Sequence, residues 1–201
     1  MTTAACVGLL RGYDEIGTRI DRVVYDNLAV GRLAAEYLLE RRHRCVAAIN
    51  VYAKHAAFAT RIKAFGEYAS ANNAQVVTAA GDATGFWPTP EQFGAVIDQL
   101  YSNSTNPPTG LFVASDAQLP EVYRALRSRG LTLPKDVEII SCDNQEEFLR
   151  QLAPRPATID LGLRMIGRSG VRQLLWRLRN PGERNRITMV VEPVLVPPTD
   201  Q

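Results

Sequence analysis

Two kinds of apolar pattern alternate along the chain: short unbroken runs, and longer stretches in which apolar residues recur every three or four positions. The first suits a strand buried on both faces, the second a helix with one inward stripe. Ala4 to Leu10 and Val23 to Tyr25 read as strands, separated by a polar turn over 11–22. A helix over Ala29 to Arg42 carries Leu33, Ala34, Tyr37 and Leu38 on one face. Cys45 to Ile49 returns as a strand. After a loop from Val51, the spacing of Phe58, Ile62, Phe65 and Ala69 predicts a second helix. Gln75 to Ala79 is the next strand, and Gly81 to Pro88 a loop. Thr89-Pro90-Glu91-Gln92 has the form of a capping box and opens a helix with Phe93, Val96, Ile97 and Leu100 inward.

The clearest unit follows. Gly110 to Ala114 is a buried strand, Asp116 is placed to cap a helix whose inward face is Leu119, Val122, Tyr123 and Leu126, and Gly130 stops that helix. Val137 to Cys142 is the next strand. Past Asn144 a short helix spans Glu146 to Leu152, and Pro154 and Pro156 break the pattern. Thr158 to Asp160 is a short strand, Leu163 to Arg179 a long helix, and Ile187 to Val196 a last strand with Pro193 marking an edge or a bend.

Strands alternating with helices predict an α/β fold with a doubly wound parallel sheet. In such a sheet ligands bind beyond the carboxyl ends of the strands. Those ends are polar here: Asn27, Asn50, Ser115-Asp116 and Asp143-Asn144. Ser115, Asp116, Asp143 and Asn144 are therefore expected side by side at a crevice. Arg61 follows closely after the Asn50 tip, and His55 precedes it in the same loop. Phe86-Trp87 lie in the loop before the capping box, where aromatics either pack beneath the loop or stack on a ligand.

Composition removes several function classes. The 201 residues carry a net charge of only +2, so no global field favours nucleic acid. Arginine clusters at 41–44, 124–129 and 177–186 fall near helix C-termini, where a solvated end suits them. Cys6, Cys45 and Cys142 sit apart in apolar runs and read as small buried hydrophobes, not metal ligands or a disulfide frame. No phosphate-binding glycine loop or Gly-x-Ser-x-Gly elbow occurs, and neither His43 nor His55 adjoins a nucleophile in sequence. No cofactor or metal is expected. The N-terminus lacks the pattern of an export signal and no stretch is long enough to span a membrane, which makes a cytoplasmic setting without a membrane partner the default. Asp116 and Asp143 have the chemistry for acid-base work, or for accepting hydrogen bonds from hydroxyls; the second needs no further apparatus.

Four stretches in order resemble a known family: VYDN at 24–27 followed by GRLAAEYLLERRHRCVAAIN, RIKAF at 61–65, ASD at 114–116, and GLTLPKDVEIISCDN at 130–144. They resemble the effector-binding domain of LacI/GalR-type transcription regulators. The resemblance implies a periplasmic-binding-protein-like fold of two doubly wound lobes joined by three crossovers. On that template 1–27 is a remnant of the first lobe with a crossover, and 28–156 is a nearly complete second lobe. Residues 157–182 hold a crossover and a first-lobe helix, and 183–201 the last strand and tail. By position, Arg61 matches the arginine that grips the effector, Asp143 the cleft aspartate and Ser115 a polar contact. His55 stands where some members place a further contact. The family's stacking aromatic follows a Gly-Asp pair, whereas Gly81-Asp82 is followed here by Ala83, so Phe86 or Trp87 would have to substitute.

The resemblance further implies a small-molecule effector, most simply a sugar, a homodimer and no enzymatic activity. It implies DNA binding only through a helix-turn-helix that neither end of this sequence carries. A piece of a longer regulator is the simplest expectation, with the first-lobe remnants leaving apolar faces without partners. A transporter's solute-binding protein and a doubly wound enzyme using strand-tip carboxylates are the rival expectations.

Overall fold

The computed structural model describes residues 5–9, 20–52, 55–81, 88–102 and 104–198. The chain divides into two compact units, one of Met1–Asp26 with Leu161–Val194, the other of Asn27–Asp160 with Leu195–Gln201.

In the smaller unit, strands β1 (Val7–Leu9), β2 (Asp21–Tyr25) and β8 (Thr188–Val191) form a parallel sheet in the order β1-β2-β8. Helix α6 (Leu163–Arg179) packs on β1 and β2. Its inward side is pinned by charge. Asp21 is 1% exposed and accepts hydrogen bonds from Arg177 Nε (2.9 Å) and Nη2 (2.5 Å), Gln173 Nε2 (2.7 Å) and the Ile187 amide (3.1 Å). The expectation that this arginine cluster is solvated is thus corrected at Arg177, whose guanidinium neutralises a buried carboxylate that would otherwise be costly to desolvate. On the outer side of α6, Val171, Leu175 and Leu178 are exposed.

The larger unit contains α1 (Asn27–Glu40), β3 (Cys45–Asn50), α2 (Ala56–Ala71), β4 (Gln75–Ala80), α3 (Pro90–Tyr101), β5 (Gly110–Val113), α4 (Leu119–Arg127), β6 (Glu138–Ile140), α5 (Glu146–Leu149) and β7 (Thr158–Asp160). Its parallel sheet has the order β4-β3-β5-β6. Every residue of β3 and β5 is buried, as suits the two central strands of a sheet covered on both faces. β4, at the edge, is exposed or half-exposed everywhere but at Ala79. On one face α3 and α4 set Phe93, Val96, Ile97, Leu100, Val122 and Leu126 against the strands. On the other lie α1 and α2, with Phe65 stacked on Phe112 of β5 at 5.4 Å.

The capping box forms: Thr89 Oγ1 accepts from the Gln92 amide, and Gln92 Oε1 accepts from the Thr89 amide at 2.9 Å. Gly130, just past α4, has φ +77°, a conformation that other residues adopt only at a cost. A different glycine sets the spacing of α1 and α2. A Cβ on Gly31 would lie 2.1 Å from the Arg61 carbonyl oxygen and 2.7 Å from the Phe65 amide, so only glycine permits this approach.

Several expectations are corrected. Asp116 does not cap α4; it opens a 3-10 turn, Asp116–Gln118, and the helix starts at Leu119. The helix expected over Glu146 to Leu152 is the single turn α5. The last strand is two: β8 in the smaller unit's sheet, then, across Pro193, β9 (Val194–Val196), which pairs with β7. Proline lacks the amide a continuous ladder needs. Cys6 is exposed, not buried. His43 is held at both ring nitrogens: Nδ1 lies 2.9 Å from Thr109 Oγ1 and Nε2 2.9 Å from Glu138 Oε2, a carboxylate also bound by Tyr37 and Arg41.

Candidate functional site

The strand order reverses between β3 and β5, because α2 carries the chain from β3 outward to β4 on one side and α3 returns it to β5 on the other. Beyond the carboxyl ends of the strands at such a switch point the sheet opens a crevice. Four of the sequence candidates meet there. Arg61, on the second turn of α2, is 2% exposed and reaches across the tips of β5 and β6. Its Nη1 donates to the Ala114 carbonyl (2.7 Å), Asp143 Oδ1 (3.2 Å) and Cys142 Sγ (2.8 Å), and its Nε donates to Asn27 Oδ1 (2.9 Å). Ser115 Oγ donates to the other oxygen of Asp143 at 2.6 Å. The Phe58 ring lies 5.6 Å from the guanidinium carbon, within cation–π range.

Local geometry explains how Asp143 comes to face Arg61. Asp143 and Asn144 have φ +110° and +54°. Two successive non-glycine residues with positive φ are unfavourable, by about 1–3 kcal/mol each, and occur where surrounding contacts enforce them. They turn the chain sharply at the end of the β6 run, with the Asp143 amide donating to the Ile159 carbonyl at 2.9 Å. Burial pushes the Asp143 carboxyl above its ordinary value against the opposing pull of Arg61 and Ser115.

Asp116 is a correction to the candidate list. It is wholly buried, and its oxygens accept from Ser141 Oγ, Thr158 Oγ1 (2.9 Å) and the Gln145 amide (2.8 Å). Burial, aided by Asp143, pushes this carboxyl up to about 7, while the bonds from Ser141, Gln145 and Thr158 oppose the rise. With no exposed atom it offers no contact to a ligand. The four polar tips therefore separate into a group around Arg61 (Ser115, Asp143) and one beneath it (Asp116, Asn144), the Asn144 amide reaching Thr158 Oγ1 at 3.4 Å.

His55 is the N-cap of α2, its Nδ1 accepting from the Phe58 amide and its ring stacked on Phe58 at 3.9 Å. Phe86 and Trp87 lie outside the described residues. Sequence reasoning missed Cys142, Ser141 and Thr158. Strand alternation would set Cys142 and Asp143 on opposite sides, but the positive φ of Asp143 brings both side chains to the same Arg61 nitrogen. Among the described residues no group of three or more His, Cys, Asp or Glu is placed to hold a metal ion, and no helix is long and apolar enough to cross a membrane. The site combines a fixed cation, a carboxylate, a hydroxyl and an amide. Such a set recognises a polar molecule through directed hydrogen bonds.

Comparison with known proteins fits this geometry. The model of the periplasmic binding protein-like domain matches residues 35–197. A ribose operon repressor of Haemophilus influenzae is 28% identical over 181 residues, covering 88% of this chain and 52% of that protein. An HTH-type transcriptional repressor PurR of Salmonella heidelberg is 29% identical over 179 residues, with 88% and 50% covered. Among solved structures, a transcriptional regulator CelR–cellobiose complex superimposes with a TM-score of 0.76 at 22% identity, over 94% of this chain and 57% of that one. A LacI family regulator from Enterococcus faecalis with bound ribose gives 0.74 at 21% identity, over 96% and 66%. The chain spans about half the length of the curated relatives it matches. It belongs to the periplasmic binding protein-like domain family.

Proposed function

We propose that the chain senses a small hydroxyl-rich effector, a sugar in the first instance, on behalf of a LacI-type transcription regulator of which it is a part. The observation that carries this reading is the meeting of Arg61, Asn27, Ser115 and Asp143 at the switch point of the larger unit's sheet. A carboxylate held between a guanidinium and a hydroxyl is a preorganised acceptor for two neighbouring sugar hydroxyls. Charge-assisted hydrogen bonds of this kind contribute roughly 1.5–3 kcal/mol each. That one relative is named a ribose operon repressor, and that structural neighbours hold ribose and cellobiose, supports the class of ligand.

In the intact protein the effector changes DNA affinity only to the extent that it binds one arrangement of the regulator more tightly than another. DNA contact is assigned to a helix-turn-helix elsewhere in that protein, the working form to a homodimer, and the setting to the cytoplasm. Ligation of Arg61 and Asp143 to an effector calls for binding, not turnover, and no acid-base role is assigned to either. Calorimetric titration of the intact protein with D-ribose, cellobiose and a wider panel of sugars tests this reading. Saturable binding to one of them, weakened at least tenfold by Arg61→Ala, is expected. Absence of binding across the panel, or unchanged affinity in the variant, refutes it.

A further inference from the structure

One well-bonded residue beside the site touches no ligand surface at all. Asp116 is 0% exposed, yet its two oxygens draw donors from three separate stretches: Ser141 at the end of β6, the Gln145 amide just past the Asp143-Asn144 turn, and Thr158 in β7. Thr158 is itself buried and accepts the Asn144 amide while donating to Asp116. The result is a chain of hydrogen bonds from the amide of Asn144, through the Thr158 hydroxyl, to the Asp116 carboxylate, which also holds the next amide, that of Gln145. Alongside it, Ser141, Ala157, Asp143 and Ile159 exchange backbone bonds of 2.9–3.0 Å.

This arrangement encloses the two positive-φ residues on both sides. A conformation that costs about 1–3 kcal/mol per residue persists only when its neighbours over-determine it. The neighbours here are the donors and acceptors of Asp116. The same carboxylate fixes β7, and after Asp160 at the end of β7 the chain leaves the larger unit.

We propose that Asp116 is the positioning residue of the effector site: its buried carboxylate ties the Asp143–Gln145 turn to Thr158, so that the orientation of Asp143 and the path by which the chain leaves the unit are set together. The proposal rests on the effector reading for what Asp143 does, but the linkage itself is a property of the unliganded protein. A ligand that pulls on Asp143 then acts on β7 through Asp116 and Thr158, and a change in β7 acts back on Asp143, as reciprocity requires.

The test uses the intact protein as wild type, Thr158→Val, Asp116→Asn and the double variant, with Ser141→Ala in place of Asp116→Asn should that chain not fold. Thr158→Val removes the hydroxyl while leaving every charge in place. Two readouts need no ligand: amide hydrogen exchange at Asn144 and Gln145, normalised to intrinsic rates, and the chemical shift of the Asp143 carboxyl carbon. Thr158→Val is expected to speed exchange at least tenfold and to move the Asp143 resonance; Asp116→Asn does both, and the double variant is no worse than Asp116→Asn alone. An unmoved Asp143 resonance in Thr158→Val, or effects that add in the double variant, overturns the linkage. Titration with D-ribose, with Arg61→Ala as control, separates the two ideas. Binding lost in Arg61→Ala but unaltered in Thr158→Val and Asp116→Asn refutes the positioning role and spares the effector reading. No D-ribose binding counts against that sugar as effector, and exchange and chemical shift then decide the linkage.

Discussion

Arg61→Met removes the guanidinium while keeping a long apolar side chain beneath Phe58, and the consequences follow from what the arginine holds. At 2% exposure it donates to Asp143, to the Ala114 carbonyl, to the Cys142 sulfur and to Asn27. Removal leaves the Asp143 carboxylate desolvated, with the neutral Ser115 hydroxyl and Cys142 thiol beside it, and removing one partner of a buried pair costs about 3–5 kcal/mol. With a urea dependence of roughly 2–3 kcal/mol per molar for a domain of this size, the unfolding midpoint should fall by roughly 1–2 M. A second substitution locates the source of the loss. Asp143→Asn in the Arg61→Met background takes away the unpaired charge and should restore about 1–3 kcal/mol, the penalty of a buried group left without its partner. The pH profile supplies a sign. Arg61 pulls the Asp143 carboxyl down against burial, so in Arg61→Met that carboxyl rises further and stability falls more steeply as pH rises above the ordinary carboxylate range. A loss below about 1 kcal/mol in Arg61→Met, or no recovery in the double variant, would refute the claim that a buried ion pair organises these strand tips.

Other expectations rest on single contacts. Gly31→Ala brings a methyl group to 2.1 Å from the Arg61 carbonyl oxygen, so α1 and α2 must part; a loss of about 1–3 kcal/mol in thermal unfolding is expected, together with weakened effector binding, because the helix that moves carries Arg61. Asp116 keeps its proton in the folded protein up to about 7 but releases it from 3.8 when unfolded, so stability should decline between those values as pH rises, by at most about 4 kcal/mol; urea unfolding at intervals from pH 4 to 8 should show that decline flattened in Asp116→Asn. Arg177→Met strands Asp21 in the smaller unit, and a loss of stability there is expected from Trp176 fluorescence in a Trp87→Phe background.

Much of the architecture could be read from hydrophobic spacing. The strands over Cys45 to Ile49 and Gly110 to Ala114 were legible because both are unbroken apolar runs, and the capping box at Thr89 because its two hydrogen bonds are local. Two places failed for one reason: the deciding partner is far away in sequence. Asp116 precedes a helix and has the chemistry of a cap, but donors 25 and 42 residues distant, on Ser141 and Thr158, claim its oxygens. Arg177 sits near a helix end, where solvent is the ordinary outcome, yet Asp21 is brought to it across 156 residues. At the candidate site, chain order marked Arg61 and Asp143 as near strand tips. Their pairing depends on the positive φ of Asp143 and Asn144; Asp and Asn adopt it more readily than other non-glycine residues, but nothing in the local sequence says that this turn takes it. The break at Pro193 was visible as a break, but not that the two halves of the last strand join different sheets.

The effector reading is tested most directly by a crystal structure of the intact protein grown with the sugar that binds it most tightly. The account places a hydroxyl of that sugar within hydrogen-bond reach of an Asp143 oxygen and another within reach of the Arg61 guanidinium, with the Asp143-Asn144 turn unchanged. A sugar seated elsewhere, with Arg61 and Asp143 still bonded only to protein, would contradict it.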